Sequence, residues 1–340
     1  MFIRSKVPLR ISFGGGGTDV SPYCDIYGGS VINATINRYA TVTLKPLESN
    51  EIIIKSLDYD RTLKYDVNKF LAYDGQLDLI KGVINHIKKT YNLPSGFEIK
   101  VHNDAPPGSG LGSSSAVCVA LLGAFKEWMN LPLTPYDIAE LAFKIERIEL
   151  EIKGGRQDQY AAAFGGFNFM EFYDSKVIVN PLKLREEIIN ELNYSLILAY
   201  VGGSHNSSDI LQKQISNVKN KQEDSIKAMH EIKRLAIEVK NTLVIGKLGK
   251  FGCLLDEAWN YKKKMADGIT NDKIDRIYNI AKQSGSLGGK ISGAGGGGFM
   301  FFFADIDKKY DVMMALKEEG VQILDYSFEN NGLLTWKVEA

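Results

Sequence analysis

The stretch Phe97-Glu98-Ile99-Lys100-Val101-His102-Asn103-Asp104-Ala105-Pro106-Pro107-Gly108-Ser109-Gly110-Leu111-Gly112-Ser113-Ser114-Ser115-Ala116 decides the reading of this chain. Phe97, Ile99 and Val101 alternate with Glu98, Lys100 and His102, the period of a strand with one buried face. After the glycines, Val117, Leu121, Leu122, Phe125 and Trp128 spread apolar surface round most of a helix over residues 113–129, which places that helix in the interior. Between strand and helix, glycines let the backbone approach an anion, and a helix start offers unpaired N–H groups and a positive dipole end. Ser113, Ser114 and Ser115 add hydroxyls suited to phosphate oxygens or a metal ion. The plainer use of those serines is to cap the helix, although three are more than a cap needs.

Two familiar phosphate loops are excluded. No Lys-Ser/Thr follows the glycines as a Walker A loop requires, and Gly289-Lys290 is followed by Ile291. No strand-turn-helix G-x-G-x-x-G with an acidic residue some 20 positions on supports a dinucleotide fold.

Two further glycine clusters flank the central one. The first is Pro8-Leu9-Arg10-Ile11-Ser12-Phe13-Gly14-Gly15-Gly16-Gly17-Thr18-Asp19, where four glycines signal close backbone approach and Thr18 and Asp19 offer groups for sugar hydroxyls. The other is Lys290-Ile291-Ser292-Gly293-Ala294-Gly295-Gly296-Gly297-Gly298, ahead of an apolar strand from Phe299 to Phe303.

Outward from these, residues 41–44 and 52–54 read as strands and residues 77–91 as a helix. A second helix starts where Thr134 can cap and Pro135 suits the first position, with Ile138, Leu141, Ile145, Ile148 and Ile152 on one buried face until Gly154-Gly155. Residues 167–170, 177–179, 195–200, 297–303 and 334–338 read as strands, and residues 206–283 have helical spacing. A polar stretch at 180–193 suggests a boundary, giving domains at 1–185 and 186–340. Strands followed by helices in each half predict two α+β domains.

Composition is that of an ordinary globular protein, 44% hydrophobic and 24% charged. Basic and acidic residues balance at 41 each, which leaves no field for nucleic acid or an anionic membrane. Cys24, Cys118 and Cys253 lie too far apart in sequence for a disulfide framework or metal spacing. The first residues lack the apolar core of a signal peptide and no run is long enough to cross a bilayer, so the reducing cytoplasm is the expected compartment. Oligomeric state leaves no signature.

The three glycine segments, in this order, resemble the GHMP kinases, named for galactokinase, homoserine kinase, mevalonate kinase and phosphomevalonate kinase. The resemblance covers essentially the whole chain. It implies a first domain like that of ribosomal protein S5, a ferredoxin-like second domain, and an active site between them. It also implies ATP and Mg²⁺, with Pro107 to Ser115 as the ATP loop. Residues 13–19 and Gly154-Gly155-Arg156-Gln157-Asp158-Gln159-Tyr160 are most similar to the branch of the family that phosphorylates the anomeric hydroxyl of a bacterial heptose phosphate.

On that resemblance Asp158 is the expected catalytic aspartate and Arg10 its basic neighbour. Ser114 and Glu146 are the expected metal ligands, with Glu149 one turn on as the alternative. Gly15, Gly16, Gly17, Thr18, Asp19, Gly155, Arg156, Gln157 and Gly295 are the expected substrate-binding set. Galactokinases carry Glu-His where this chain has Gly16-Gly17, so the glycines are expected to make room for a longer, phosphorylated sugar. Arg156, Lys290 and His205 are candidates for its phosphate. Each assignment has a plainer reading: Asp158 as a helix cap, Glu146 on a solvated face with Glu140, Lys144 and Arg147, Arg10 in a surface ion pair. Another anomeric sugar kinase, similar to L-fucokinases, and a non-catalytic sensor of sugar and ATP are the alternatives in function.

Overall fold

Alternation and breaker residues set the elements of the computed structural model, which describes residues 1–106, 108–174, 176–203 and 207–339. In chain order these are β1 (Phe2–Gly14), α1 (Tyr23–Tyr27), β2 (Gly29–Pro46), β3 (Glu51–Ser56), β4 (Arg61–Asp66), α2 (Asp78–Thr90), β5 (Phe97–Asn103) and α3 (Ser113–Met129). Next come α4 (Pro135–Phe143), a π turn (Lys144–Glu149), α5 (Gln157–Phe164), β6 (Phe167–Tyr173), β7 (Lys176–Pro181), α6 (Glu186–Ser195) and β8 (Leu196–Gly202). The remainder is α7 (Ser207–Lys219), α8 (Glu223–Ile245), α9 (Leu248–Lys262), α10 (Asp272–Gln283), β9 (Ser286–Ile291), β10 (Gly298–Ala304), α11 (Ile306–Glu318), β11 (Gln322–Leu324) and β12 (Leu334–Val338).

The strands form two sheets. The larger runs β12-β1-β2-β5-β3-β4, and the long β2 splits its outer edge: Gly29–Ala34 pair with β6 while Ala40–Pro46 pair with β5. The smaller runs β11-β8-β10-β9, antiparallel throughout. The mixed α+β content agrees with the sequence reading. The expected second domain, 186–340, differs at its end, because β12 pairs with β1 and so belongs to the first sheet. The polar stretch at the expected boundary holds α6, whose Ile188 and Leu192 are buried.

The helix α3 lies in the interior as its apolar surface demands, with Cys118, Leu121, Leu122 and Phe125 fully buried. The two sheets are locked together by β10, an unbroken apolar run. Phe299, Phe301 and Phe303 face one core while Met300, Phe302 and Ala304 face the other, so both faces of this strand are covered. The ring of Phe13 on β1 meets Phe301 and Phe251 edge-on at 5.8 and 5.5 Å. That contact brings the glycine segments of the two halves to one cleft.

Candidate active site

The expected phosphate loop turns through three glycines with left-handed backbone, Gly108, Gly110 and Gly112. Gly112 is the residue before α3, and α3 starts without a side-chain cap. The serines therefore do something else. The Ser114 hydroxyl donates to Glu146 Oε1 at 2.8 Å and the Ser115 hydroxyl to Glu146 Oε2 at 2.6 Å. Gln159 Nε2 donates to the same Oε2 at 2.5 Å.

A local change in helix geometry puts Glu146 there. After the Thr134 capping box and Pro135, α4 gives way to the π turn, in which Leu150 N bonds to Ile145 O. The wider turn rotates the following residues. Glu146 becomes fully buried behind Ser114, while Ile148 is 62% exposed and Ile152 37% exposed. These two isoleucines therefore leave the face that a regular helix would give them. Glu149 turns away to His86, whose Nδ1 lies 2.8 Å from Glu149 Oε1.

Arg10 enters from β1, 4% exposed. Its Nε donates to Asp158 Oδ1 at 2.7 Å, and its terminal nitrogens reach the same oxygen at 2.7 Å, the Gly110 carbonyl, and Ser292 Oγ at 3.3 Å. Asp158 stands in the first turn of α5 and does not cap it. Beside it Asp19 is buried and accepts from Gly17 N at 3.0 Å, Gln157 N at 3.1 Å and Gln157 Nε2 at 3.4 Å. Burial pushes the Asp19 carboxyl up, its backbone donors pull it down, and Asp158 adds to the rise.

The third glycine segment serves first as packing. A Cβ on Gly110 would fall 2.2 Å from the Ser292 carbonyl oxygen, and one on Gly298 2.4 Å from that of Ser109. The two loops thus meet backbone to backbone, and Phe299 N donates to Ser109 O at 2.9 Å.

These groups line a cleft of about 210 Å³. It gathers Arg10, Asp158, Asp19, Gly16, Gly17, Gly155, Gln157, Gly295 and the loop residues Gly108, Gly110, Gly112, Ser113, Ser114 and Ser115. Leu111 and Ser109 are internal: the Leu111 carbonyl accepts from Arg10 N, and Ser109 carries the contact to β10. Three expected substrate contacts are elsewhere. Gly15 packs against the Ser30 carbonyl. Thr18 is fully buried, its hydroxyl bonded to Gly15 O and Ser30 N, so it braces the turn. Arg156 stacks on Phe143 at 4.8 Å and points toward Asp25. Lys290 is buried beneath the cleft, its Nζ on the Ser12 carbonyl at 2.7 Å. Pro107 and His205 lie outside the described residues.

Sequence reasoning missed several lining residues. Arg147, read as surface, has Nε 3.3 Å from Gly155 O and braces the loop before α5. Gln214 and Lys262 come from helices of the second half. Three buried side-chain atoms on this cleft, Ser12 Oγ, Gln157 Oε1 and Gln214 Oε1, have no partner among the described residues. A second, larger cavity of about 540 Å³ adjoins the phosphate loop at Gly108, Ser113 and Ser114, with Tyr59, Leu77, Ile80, Val101 and Val117 in its wall. Among the described residues no group of three or more His, Cys, Asp or Glu converges as a metal site, and no helix is long and apolar enough to cross a membrane.

A glycine-rich anion loop at the start of a buried helix, facing a carboxylate held by an arginine, defines a phosphoryl-transfer class. The GHMP kinases N-terminal domain model matches residues 78–166 and the GHMP kinases C-terminal model residues 228–322; the chain belongs to the GHMP kinase family. Over 338 residues it is 44% identical to D-glycero-alpha-D-manno-heptose 7-phosphate kinase of Campylobacter jejuni, covering 99% of each chain. The crystal structure of a D-glycero-D-manno-heptose 1-phosphate kinase from Bacteroides thetaiotaomicron superposes with a TM-score of 0.85 at 40% identity, over 99% of this chain and 100% of that one. Similarity to the bifunctional fucokinase/GDP-fucose pyrophosphorylase of Arabidopsis thaliana is distant, 24% over 335 residues, covering 93% of this chain and 31% of that one.

Proposed function

We propose that this enzyme transfers the γ-phosphoryl group of ATP to O1 of D-glycero-D-manno-heptose 7-phosphate, giving the 1,7-bisphosphate used for heptose of bacterial surface polysaccharides. The observation that carries the reading is the Arg10–Asp158 pair, set in one cleft with the phosphate loop and Asp19. The substrate rests on the likeness to the heptose phosphate kinases. ATP and free thiols at Cys24, Cys118 and Cys253 fit action in a reducing cytoplasm.

In this reading the loop amides and Ser113 to Ser115 hold the ATP phosphates, and the larger cavity takes the nucleoside. Asp158 accepts the O1 proton, and an anomeric hydroxyl is acidic enough for a carboxylate to serve. Arg10 holds Asp158 in place through two nitrogens. The oxygens of Ser12, Gln157 and Gln214, unpaired among the described residues, ask for donors, which a hydroxyl-rich acceptor supplies. Lys153, exposed at the cleft rim, is the group placed for the acceptor's own phosphate.

Magnesium fits the oxygen donors present. Ser114 is exposed to the cleft, and Glu146 Oε1 behind it accepts one hydrogen bond where Oε2 accepts two. Ser114 and Glu146 would hold the ion, which neutralises phosphate charge when bound.

The test is ATP turnover with heptose 7-phosphate, L-fucose, galactose and mevalonate, with ³¹P NMR of the product. The expected product carries a new phosphate coupled to the anomeric proton while the 7-phosphate persists. Turnover confined to L-fucose would replace this reading with the fucokinase-like one, and sugar binding without turnover would make the protein a sensor.

A further inference from the structure

The geometry points to a further catalytic residue, Lys262: its ammonium contacts the γ-phosphoryl group and carries part of its charge during transfer. This rests on the reading of the cleft as a phosphoryl-transfer site. Lys262 is the last residue of α9, 3% exposed, and lines the cleft. Its Nζ donates to the Gly293 carbonyl. Gly293 abuts the phosphate loop, since a Cβ there would fall 2.8 Å from Gly110 Cα. Arg10 reaches the Gly110 carbonyl of that loop. Two cations from different halves of the chain therefore hold neighbouring carbonyls, Gly293 and Gly110, on two segments that abut each other.

The contrast with other buried lysines separates this role from a structural one. Lys81 is fully buried but neutralised by Asp74 and Asp78. Lys290 is spent on the Ser12 carbonyl and lies over the Phe301 ring. Among the described residues Lys262 has no carboxylate within ion-pair distance, and an ammonium has three donors where one is used here. A buried cation left this way is costly unless an anion arrives. The charged groups facing it are Arg10 from β1, Lys290 from β9 and Asp19 from the first glycine loop. Burial, with Arg10 adding and Asp19 opposing, holds its pKa down to about 8.

In the step itself, acceptor O1 forms a bond to the γ-phosphorus as the bond to the β–γ bridging oxygen breaks. The bonding pair leaves on ADP and the O1 proton passes to Asp158. Lys262 exchanges no atom; it follows the charge on the moving phosphoryl oxygens.

Lys262→Met and Lys262→Arg test this. Lys262→Met is expected to lower kcat about 100- to 1,000-fold, with KM for ATP and acceptor changed less than about threefold, and Lys262→Arg to recover part of the loss. A second arm needs no turnover: the melting shift given by MgADP persists in Lys262→Met, while the additional shift from fluoroaluminate, a mimic of the phosphoryl group in flight, disappears. Wild-type kcat in Lys262→Met overturns the proposal. So does a rise in acceptor KM alone, which would assign Lys262 to the acceptor's own phosphate, or a lowered apo melting point with both shifts lost, which would make it structural. Wild type inactive on heptose 7-phosphate would fail the substrate reading and leave the melting arm to judge Lys262.

Discussion

Arg10 Nε donates to Asp158 Oδ1 at 2.7 Å, and a second guanidinium nitrogen lies 2.7 Å from that same oxygen, tying β1 to the first turn of α5 across 148 residues. The same guanidinium reaches the Gly110 carbonyl of the phosphate loop. One side chain thus fixes the distance between the expected base and the donor loop, and a small misplacement there is costly in rate.

Asp158→Asn keeps the shape and removes the base. We expect kcat to fall by roughly 10²–10⁴ with MgADP binding intact. Arg10→Lys keeps the charge and loses the fork, so kcat should fall as well. The double variant Arg10→Lys/Asp158→Asn should lose less than the product of the two single losses, since contacting residues couple. Independent, multiplying effects in steady-state kinetics would show that the pair does not act as a unit.

Glu146→Gln replaces a buried acceptor of three hydrogen bonds by a group that also donates. One donor then faces another, at a cost of about 1–3 kcal/mol. If Glu146 and Ser114 hold the metal, the Mg²⁺ concentration giving half-maximal turnover should rise at least about tenfold, as loss of a metal-site group typically costs 10–100-fold. Unchanged Mg²⁺ dependence would return the choice to Glu149, despite its pairing with His86.

The glycines divide into two kinds, and substitutions should separate them. Gly110 has φ +79° and no room, because its Cβ would meet the Ser292 carbonyl at 2.2 Å. Gly110→Ala should cost about 2 kcal/mol or more and abolish ATP binding, measured by melting and by nucleotide titration. Gly16 has no such φ and its Cβ would clear Ser12 Oγ at 3.4 Å. Gly16→Leu should fold, fill the cleft, and raise acceptor KM while leaving that for ATP. An unaffected acceptor KM would mean that the absent side chain makes no room for substrate.

What the sequence made legible was whatever local chemistry determines. The helix 113–129 was bounded by a glycine loop at one end, and Thr134-Pro135 marked the next start, both matching the structure. The apolar spacing puts Ile148 and Ile152 on the buried face, and the structure differs because a π turn has no apolar signature; it shows only in how residues rotate afterwards. The α6 helix, with two buried side chains in a polar stretch, fell below any periodic signal. Thr18 resembled a sugar contact, yet Ser30, twelve positions on, had already claimed its hydroxyl. Lys262 stands in the run Lys262-Lys263-Lys264, where Lys263 lies over Trp259 and Lys264 over Tyr261. Only packing distinguishes the one that turns inward.

That inward lysine makes apo stability depend on pH in a definite direction. The Lys262 pKa is about 8 in the folded chain against an ordinary value of 10.5. Between these values the unfolded chain binds more protons, so stability rises with pH. Below pH 8 the buried charge costs about 3 kcal/mol, since each unit is worth 1.36 kcal/mol, and the cost fades as pH climbs toward 10.5. Lys290 is depressed for the same reason and shifts stability the same way, so the comparison must be with Lys262→Met, which retains Lys290. The melting temperature of wild type minus that of Lys262→Met should therefore increase between pH 8 and 10 in the apo protein. Saturating MgATP should flatten the trend, because its phosphates hold the proton on. A flat difference in the apo protein would show that Lys262 is not desolvated in solution.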